Sequence, residues 1–160
     1  MIDIDDPTAY RQLLSRFPTG VAVATTTDAD GRPIGMTASA ISSVSLSPPL
    51  LLICVSKAAD FHGALTRAGG FALSVLAHDQ EALSRRFAET RPDRFDGVPI
   101  STGPDGLPLL AGAAAHIICR KWGAHEVGDH TIFFGLVAGG TVFERRPLIH
   151  HRSGYTTVTG

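Results

Sequence analysis

No run in this sequence is long enough or apolar enough to cross a bilayer as a helix, so a membrane role is not expected. Net charge is also nearly absent. Lys and Arg number 14 against 15 Asp and Glu, a formal charge of -1, which removes any broad attraction to nucleic acid or an anionic membrane. Cysteine is scarce. Cys54 and Cys119 both lie in apolar, strand-like runs and read as reduced core thiols of a cytoplasmic protein, not as a disulfide framework or an activated nucleophile. The N-terminal Asp3, Asp5 and Asp6 are the opposite of a basic secretory leader. No Cys-x-x-Cys and no His-Glu-x-x-His occurs, and His116 and Cys119, three apart, fall on opposite faces of a strand, so no metal site is expected. The Gly-x-Ser-x-Gly elbow of an α/β-hydrolase is missing. So is a Gly-x-Gly-x-x-Gly turn after the first strand, which excludes a Rossmann dinucleotide site. Internal repeats and low-complexity segments are absent.

What remains is a chain of 160 residues, 44% hydrophobic, which fits one domain over residues 1–160 with a real core. Its 17 glycines and 10 prolines imply many turns and a sheet-rich fold. Pro7 to Arg16 reads as a helix capped by Asp6, with Tyr10, Leu13 and Leu14 on one face. Val21–Thr27 and Pro33–Ser45 read as a hairpin about the Asp28–Gly31 turn. Leu50–Val55 is continuously apolar and predicts a strand buried on both faces. Asp60–Arg67 and Asp79–Ala88 read as helices capped by Asp60 and Asp79, with the strand Phe71–Leu76 between them. Glu89–Gly97 is a polar loop held by Phe95. Leu109–Trp122 and Thr131–Val142 predict two long strands joined by a turn at His125–Asp129, with a last short strand near Tyr155–Val158. Strands joined mostly by short turns predict a mainly β fold with flanking helices, an antiparallel sheet closing into a barrel.

One stretch organises the rest: Gly35 to Lys57, GMTASAISSVSLSPPLLLICVSK. Small and hydroxylated residues let a flat ligand approach the backbone and bond the polar edge of a ring. The same residues also suit an ordinary tightly packed strand pair. Ser56-Lys57, placed before a helix N-terminus, can hold a phosphate, or simply end a strand at the surface. In Gly128-Asp129-His130 a histidine stands at a strand entrance with an aspartate to orient it; the alternative is a polar turn. In the tail, Arg152 can meet a second phosphate and Tyr155 can stack on a ring, or both can belong to a solvated terminal strand.

Together these pieces resemble the short-chain flavin reductase family, the reductase partners of two-component flavin-dependent monooxygenases. The matching residues run through most of the chain: Phe17-Pro18-Thr19-Gly20-Val21, Gly35-Met36-Thr37-Ala38-Ser39 through Ser45, Pro48, Pro49 and Leu50, then Lys57, His62 and Leu65. They continue with Phe71, Ser74-Val75-Leu76, Asp93-Arg94-Phe95, Gly128-Asp129-His130-Thr131-Ile132 and Tyr155. The resemblance implies an FMN-binding split β-barrel, usually a homodimer, that reduces FMN or FAD with NADH or NADPH and supplies reduced flavin to an oxygenase. By position it implies that Thr37, Ala38, Ser39, Ala40, Ile41, Ser42 and Ser43 line the flavin ring and ribityl chain. Ser56 and Lys57, helped by Arg86 or Phe87, would meet the flavin phosphate. Pro18, Thr19, His130, Arg152 and Tyr155 would lie near the nicotinamide nucleotide, with His130 the catalytic or positioning histidine. The sequence departs from the family at Ala58, Ala59, Asp60 and Phe61, where hydroxyl residues are common, so the phosphate has fewer side-chain donors.

Hydride transfer between a nicotinamide and a flavin needs orientation and polar contacts, not a protein nucleophile, in keeping with the missing triad. Two other readings share the barrel. One is a non-enzymatic flavin- or haem-binding protein, against which Gly128-Asp129-His130 and Tyr155 argue. The other is an oxidase of a phosphorylated substrate resembling pyridoxamine-phosphate oxidases, for which the extra basic residues are lacking.

Overall fold

The Pro7 ring suits a first helical turn and Asp6 accepts from the Thr8 N–H at 2.8 Å, so α1 (Pro7–Leu14) starts where its cap predicts. The computed structural model describes residues 5–159; Asp3 lies outside the described residues. Beyond α1 come β1 (Thr19–Gly20), β2 (Ala22–Thr27), β3 (Pro33–Ala38), β4 (Ile41–Leu46), β5 (Pro49–Ser56), α2 (Asp60–Arg67), β6 (Gly70–Val75) and α3 (Glu81–Ala88). The chain then runs through β7 (Ile100–Thr102), β8 (Pro108–Leu110), β9 (Ala115–Val127), β10 (His130–Val142), β11 (Leu148–His151) and β12 (Gly154–Thr157). Among the described residues, no helix is long and apolar enough to cross a membrane.

Seven strands form one antiparallel sheet in the order β3-β2-β6-β9-β10-β5-β4. Its two edge strands, β3 and β4, are consecutive in the chain and joined only by Ser39 and Ala40. Laid flat, such a sheet would hold its edges roughly 29 Å apart. The short link spans at most about 11 Å between Ala38 and Ile41. The sheet must therefore curl, and β3 and β4 meet at a seam that no ladder of hydrogen bonds closes. The barrel is thus a split one, as the family resemblance implies. The predicted single strand Pro33–Ser45 is two strands, broken where the chain crosses that seam.

Inside the curl, β2 contributes Ala22 and Ala24, β5 contributes Leu51, Ile53 and Val55, and β6 contributes Phe71 and Leu73. Phe61 and Leu65 of α2 plug this space. Each of the larger side chains buried here, Ile53, Val55, Phe61, Leu65, Phe71 and Leu73, stabilises the fold by about 2 kcal/mol. On the opposite face, Val23 of β2 and the preceding Val21 pack with Leu76, Phe87, Val98, Leu110 and Leu148. β2 is therefore buried on both faces, as is β6. The strand predicted to be so, β5, buries alternate residues only, while Leu50, Leu52 and Cys54 face outward and are half-buried.

Several predicted boundaries shift for identifiable reasons. Asp60 is the first residue of α2 rather than its cap, which is Ala59, and α3 starts after Gln80 because Asp79 is drawn to Arg145 at 2.5 Å. Leu109 and Leu110 belong to the small β7–β8 hairpin, and Gly112, at φ 73°, turns the chain before β9. The late hairpin turns on Gly128 and Asp129 alone, since Val127 already pairs with His130 and Gly128 takes φ 57°. In α1, Tyr10, Leu13 and Leu14 share the predicted face, yet all three are exposed.

Candidate functional site

Two motifs far apart in sequence come together at one end of the sheet. The register of β5 against β10 pairs Ser56 with His130. The next residue, Lys57, donates its backbone N–H to the Asp129 carbonyl at 2.9 Å. The Gly128–Asp129 turn is thereby fixed beside the entrance to α2, where the Ser56 hydroxyl accepts from the Ala58 N–H at 3.3 Å. His130 Nδ1 lies 2.7 Å from Asp129 Oδ1, so the aspartate orients the ring. That hydrogen bond, then the attraction of His130, holds the Asp129 carboxyl below its usual value. Deeper in, His62 of α2 bonds the Thr131 hydroxyl at 2.8 Å and meets Phe133 edge-on, which locks α2 against β10.

The seam lies alongside. Cys54 donates its N–H to the Ala40 carbonyl at 3.0 Å, so the β3–β4 link sits within two residues of Ser56 along β5. Ser39, Ala40, Ser42 and Ser43 are exposed and carry small side chains, with the Ser42 hydroxyl donating to the Ser43 carbonyl at 3.1 Å. Ser39 and Ile41 also line an open groove of about 350 Å³ with Pro18, Thr19 and Val75. Residues predicted for two different ligands, Pro18–Thr19 and Ser39–Ile41, thus share one groove. An exposed hydroxyl-rich seam, a shallow groove and an adjoining helix N-terminus fit a flat, phosphorylated ring ligand.

Other predicted residues are placed elsewhere. Ala38 points into the core at 4% exposure, and the Thr37 hydroxyl is spent on the Ser84 carbonyl at 2.6 Å. These two support the seam from behind. Phe87 is 1% exposed and stacks edge-on against Phe95, so its side chain is core. Arg86 is bound to the carbonyls of Asp93 and Asp96, and its Nε is buried without a partner; it staples the 93–96 loop to α3 rather than reaching Lys57.

Tyr155 lies on the three-stranded sheet β1-β11-β12 and Arg152 in its β11–β12 turn, not on the sheet that carries His130. Arg152, at φ 53°, donates its N–H to the Ser15 carbonyl and faces the end of α1. Tyr155 is already engaged: its hydroxyl meets Ser84 Oγ at 2.8 Å, Arg85 stands 4.9 Å over its ring, and His150 packs at its edge. It is a fixed wall near Thr19, whose ladder partner is His150, and no longer a free stacking platform.

Two residues were missed as site residues. Arg94, 5% exposed, pairs with Asp60 and donates to the Gly35 carbonyl at 2.6 Å and to the Arg91 carbonyl. It ties the N-terminus of α2 to the strand that enters the seam. At Gly35 a side chain would crowd the Ala24 carbonyl at 3.0 Å and Phe95. The Asp93-Arg94-Phe95 match carried the signal, but a polar loop gives no sign that its arginine is buried. Glu126, whose carboxylate lies 2.9 Å from Lys57 Nζ, was hidden because its strand was expected to end at Trp122.

Comparison with known proteins gives consistent results. The family model described as "Flavin reductase like domain" matches residues 14–159. The reductase subunit HsaB of a flavin-dependent monooxygenase from Rhodococcus jostii is 39% identical over 154 residues, 96% of this chain and 78% of that protein. An NADH-dependent FAD reductase from Streptomyces globisporus is 46% identical over 151 residues, 91% of this chain and 82% of that protein. The solved structure of the S. globisporus NADH:FAD oxidoreductase SgcE6, in complex with NAD and FAD fragments, superposes with a TM-score of 0.94 at 42% identity, covering 99% of this chain and 96% of that one.

Proposed function

The chain belongs to the flavin reductase-like family, and on that premise we propose that it reduces FMN or FAD with NADH or NADPH and supplies reduced flavin to a partner monooxygenase. The observation that carries this reading is the convergence of Ser39–Ile41, Ser56–Lys57 and Asp129–His130 at one end of the split barrel. The nicotinamide and the flavin supply the hydride chemistry between them, and the protein's task is to orient the two rings.

Residue roles follow from placement. Ser39, Ala40, Ser42 and Ser43 offer small side chains and hydroxyls to the ring and ribityl chain, with Ile41 as the apolar floor. Ser56 and Lys57, at the entrance to α2, take the phosphate. Pro18 and Thr19 form the facing wall of the groove. His130, held by Asp129, keeps its second ring nitrogen for the nicotinamide nucleotide. No protein group forms or breaks a covalent bond.

The working form is a homodimer. Three apolar cross-strand pairs, Leu50/Leu136, Leu52/Phe134 and Cys54/Ile132, face outward as a half-buried ladder on β5 and β10, and a second copy would cover them. Cys54 and Cys119 are free thiols, which agrees with a reducing cytoplasm.

Anaerobic stopped-flow mixing tests the reading. Bleaching of the flavin absorbance by NADH or NADPH in the protein's presence is the expected result. Flavin binding without bleaching by either nucleotide would mark a binding module instead. Sedimentation at several concentrations checks the dimer.

A further inference from the structure

This inference rests on reading Ser56–Lys57 as the phosphate end of the flavin site. A phosphate arriving there meets two positive features, the Lys57 ammonium and the N-terminus of α2. Each already has a carboxylate of the chain's own. Lys57 Nζ lies 2.9 Å from Glu126 Oε2. At α2, Asp60 Oδ1 accepts the Phe61 N–H at 2.9 Å, which occupies one of the donors the helix end would present, while its other oxygen is held by Arg94. The two pairs differ in character. Arg94 is buried, so the Asp60 pair is fixed. Lys57 and Glu126 are 39% and 76% exposed at their side chains, so that pair can open at little cost.

Glu126 is aimed by backbone geometry. Its strand turns back at Gly128–Asp129, it lies opposite Thr131, and the Asp129 carbonyl holds the Lys57 N–H. The hydrogen bond from Lys57, then the attraction of Lys57 and of His62, keeps its carboxyl below the usual value, so it is ionised at neutral pH.

We propose that Glu126 is an internal competitor for the flavin phosphate. It occupies Lys57 when the site is empty, gives way when a phosphorylated flavin enters, and takes the ammonium back as reduced flavin leaves. The result is a site that recognises the phosphate without retaining it, as a reductase that hands flavin to another protein requires. Because the pair is exposed, the effect on affinity is about two- to fivefold.

The test uses Glu126→Gln and Lys57→Ala in the full chain, each titrated with FMN and with riboflavin, which lacks the phosphate. Glu126→Gln is expected to lower the FMN dissociation constant about two- to fivefold and to leave riboflavin unchanged, while Lys57→Ala weakens FMN alone. If Glu126→Gln leaves FMN binding unaltered, or tightens riboflavin equally, while Lys57→Ala still weakens FMN selectively, the competitor is rejected and the phosphate reading stands. If Lys57→Ala fails to separate FMN from riboflavin, Lys57 is not at the phosphate, and the competitor falls with it.

Discussion

The N-terminal end of α2 is held on two sides by cation–carboxylate pairs of opposite construction. On one side Arg94 is enclosed, with each of its three guanidinium nitrogens bonded, to Asp60, the Gly35 carbonyl and the Arg91 carbonyl. On the other, Lys57 reaches through solvent to Glu126. A buried cation cannot lose its partner without leaving an unpaired charge, so the Arg94 side fixes the shape of the site. An exposed pair exchanges readily with water or an incoming anion, so the Lys57 side is where a ligand can act. On the proposed reading, stability and ligand response fall to different faces of one helix end.

Mutations can break or sharpen that division. The largest effect belongs to the rigid side, at Phe87, which the resemblance placed near the phosphate and the structure places in the core. Phe87→Ala should cost about 3–4 kcal/mol in urea unfolding, with FMN and riboflavin affected alike in whatever folded protein remains. A selective loss of FMN would return Phe87 to the site.

Arg94→Ala should cost about 2–3 kcal/mol, because the Gly35 carbonyl loses its donor and Asp60 its counter-ion. Asp60 is 40% exposed and can recover some water, which keeps the figure below the cost of a fully buried pair. Lys57→Ala should change stability by less than about 0.5 kcal/mol, while the FMN dissociation constant rises about fivefold. If Lys57→Ala destabilised as much as Arg94→Ala, the contrast between the two sides would disappear.

The smallest effect is acid sensitivity in the loop behind Arg94. The hydrogen bond from Arg91, then the lesser pull of Arg91 and Arg86 charges, lowers the Asp93 carboxyl to about 2 from an ordinary 3.8. A depressed folded-state value means that this carboxylate's contribution is complete above pH 3.8 and is lost as pH falls toward 2. The pair is exposed, so Arg91→Gln should move the acid-unfolding midpoint only slightly upward, as followed by circular dichroism.

Much of this was legible beforehand because it depends on local chemistry. Asp6 and Pro7 start α1, and the Gly128-Asp129-His130 motif marks the late hairpin, though its turn is shorter than the sequence suggests. The family was legible too, through short matches in the right order. Less legible was anything set by which face a residue occupies after the sheet curls. Leu50–Val55 looks fully buried by composition, yet β10 lies beside it and nothing in the described chain covers its outer face. Arg86 and Phe87 lie two and three residues beyond Ser84, whose hydroxyl and carbonyl fix Tyr155 and Thr37, and no spacing rule says that their side chains turn to the loop and the core.

The sequence by itself determined most of the element types, since these follow from φ/ψ preferences and hydrophobic periodicity acting over a few residues, while the residues suited to a flavin and a nicotinamide were legible only through the family resemblance. Tertiary structure alone decided that β3 and β4 meet at an unclosed seam, that Ser56 stands beside His130, and that Glu126 sits on Lys57. Those are contacts across the curl of the sheet. They are fixed by strand register and by the short Ser39–Ala40 link, neither of which a local pattern records.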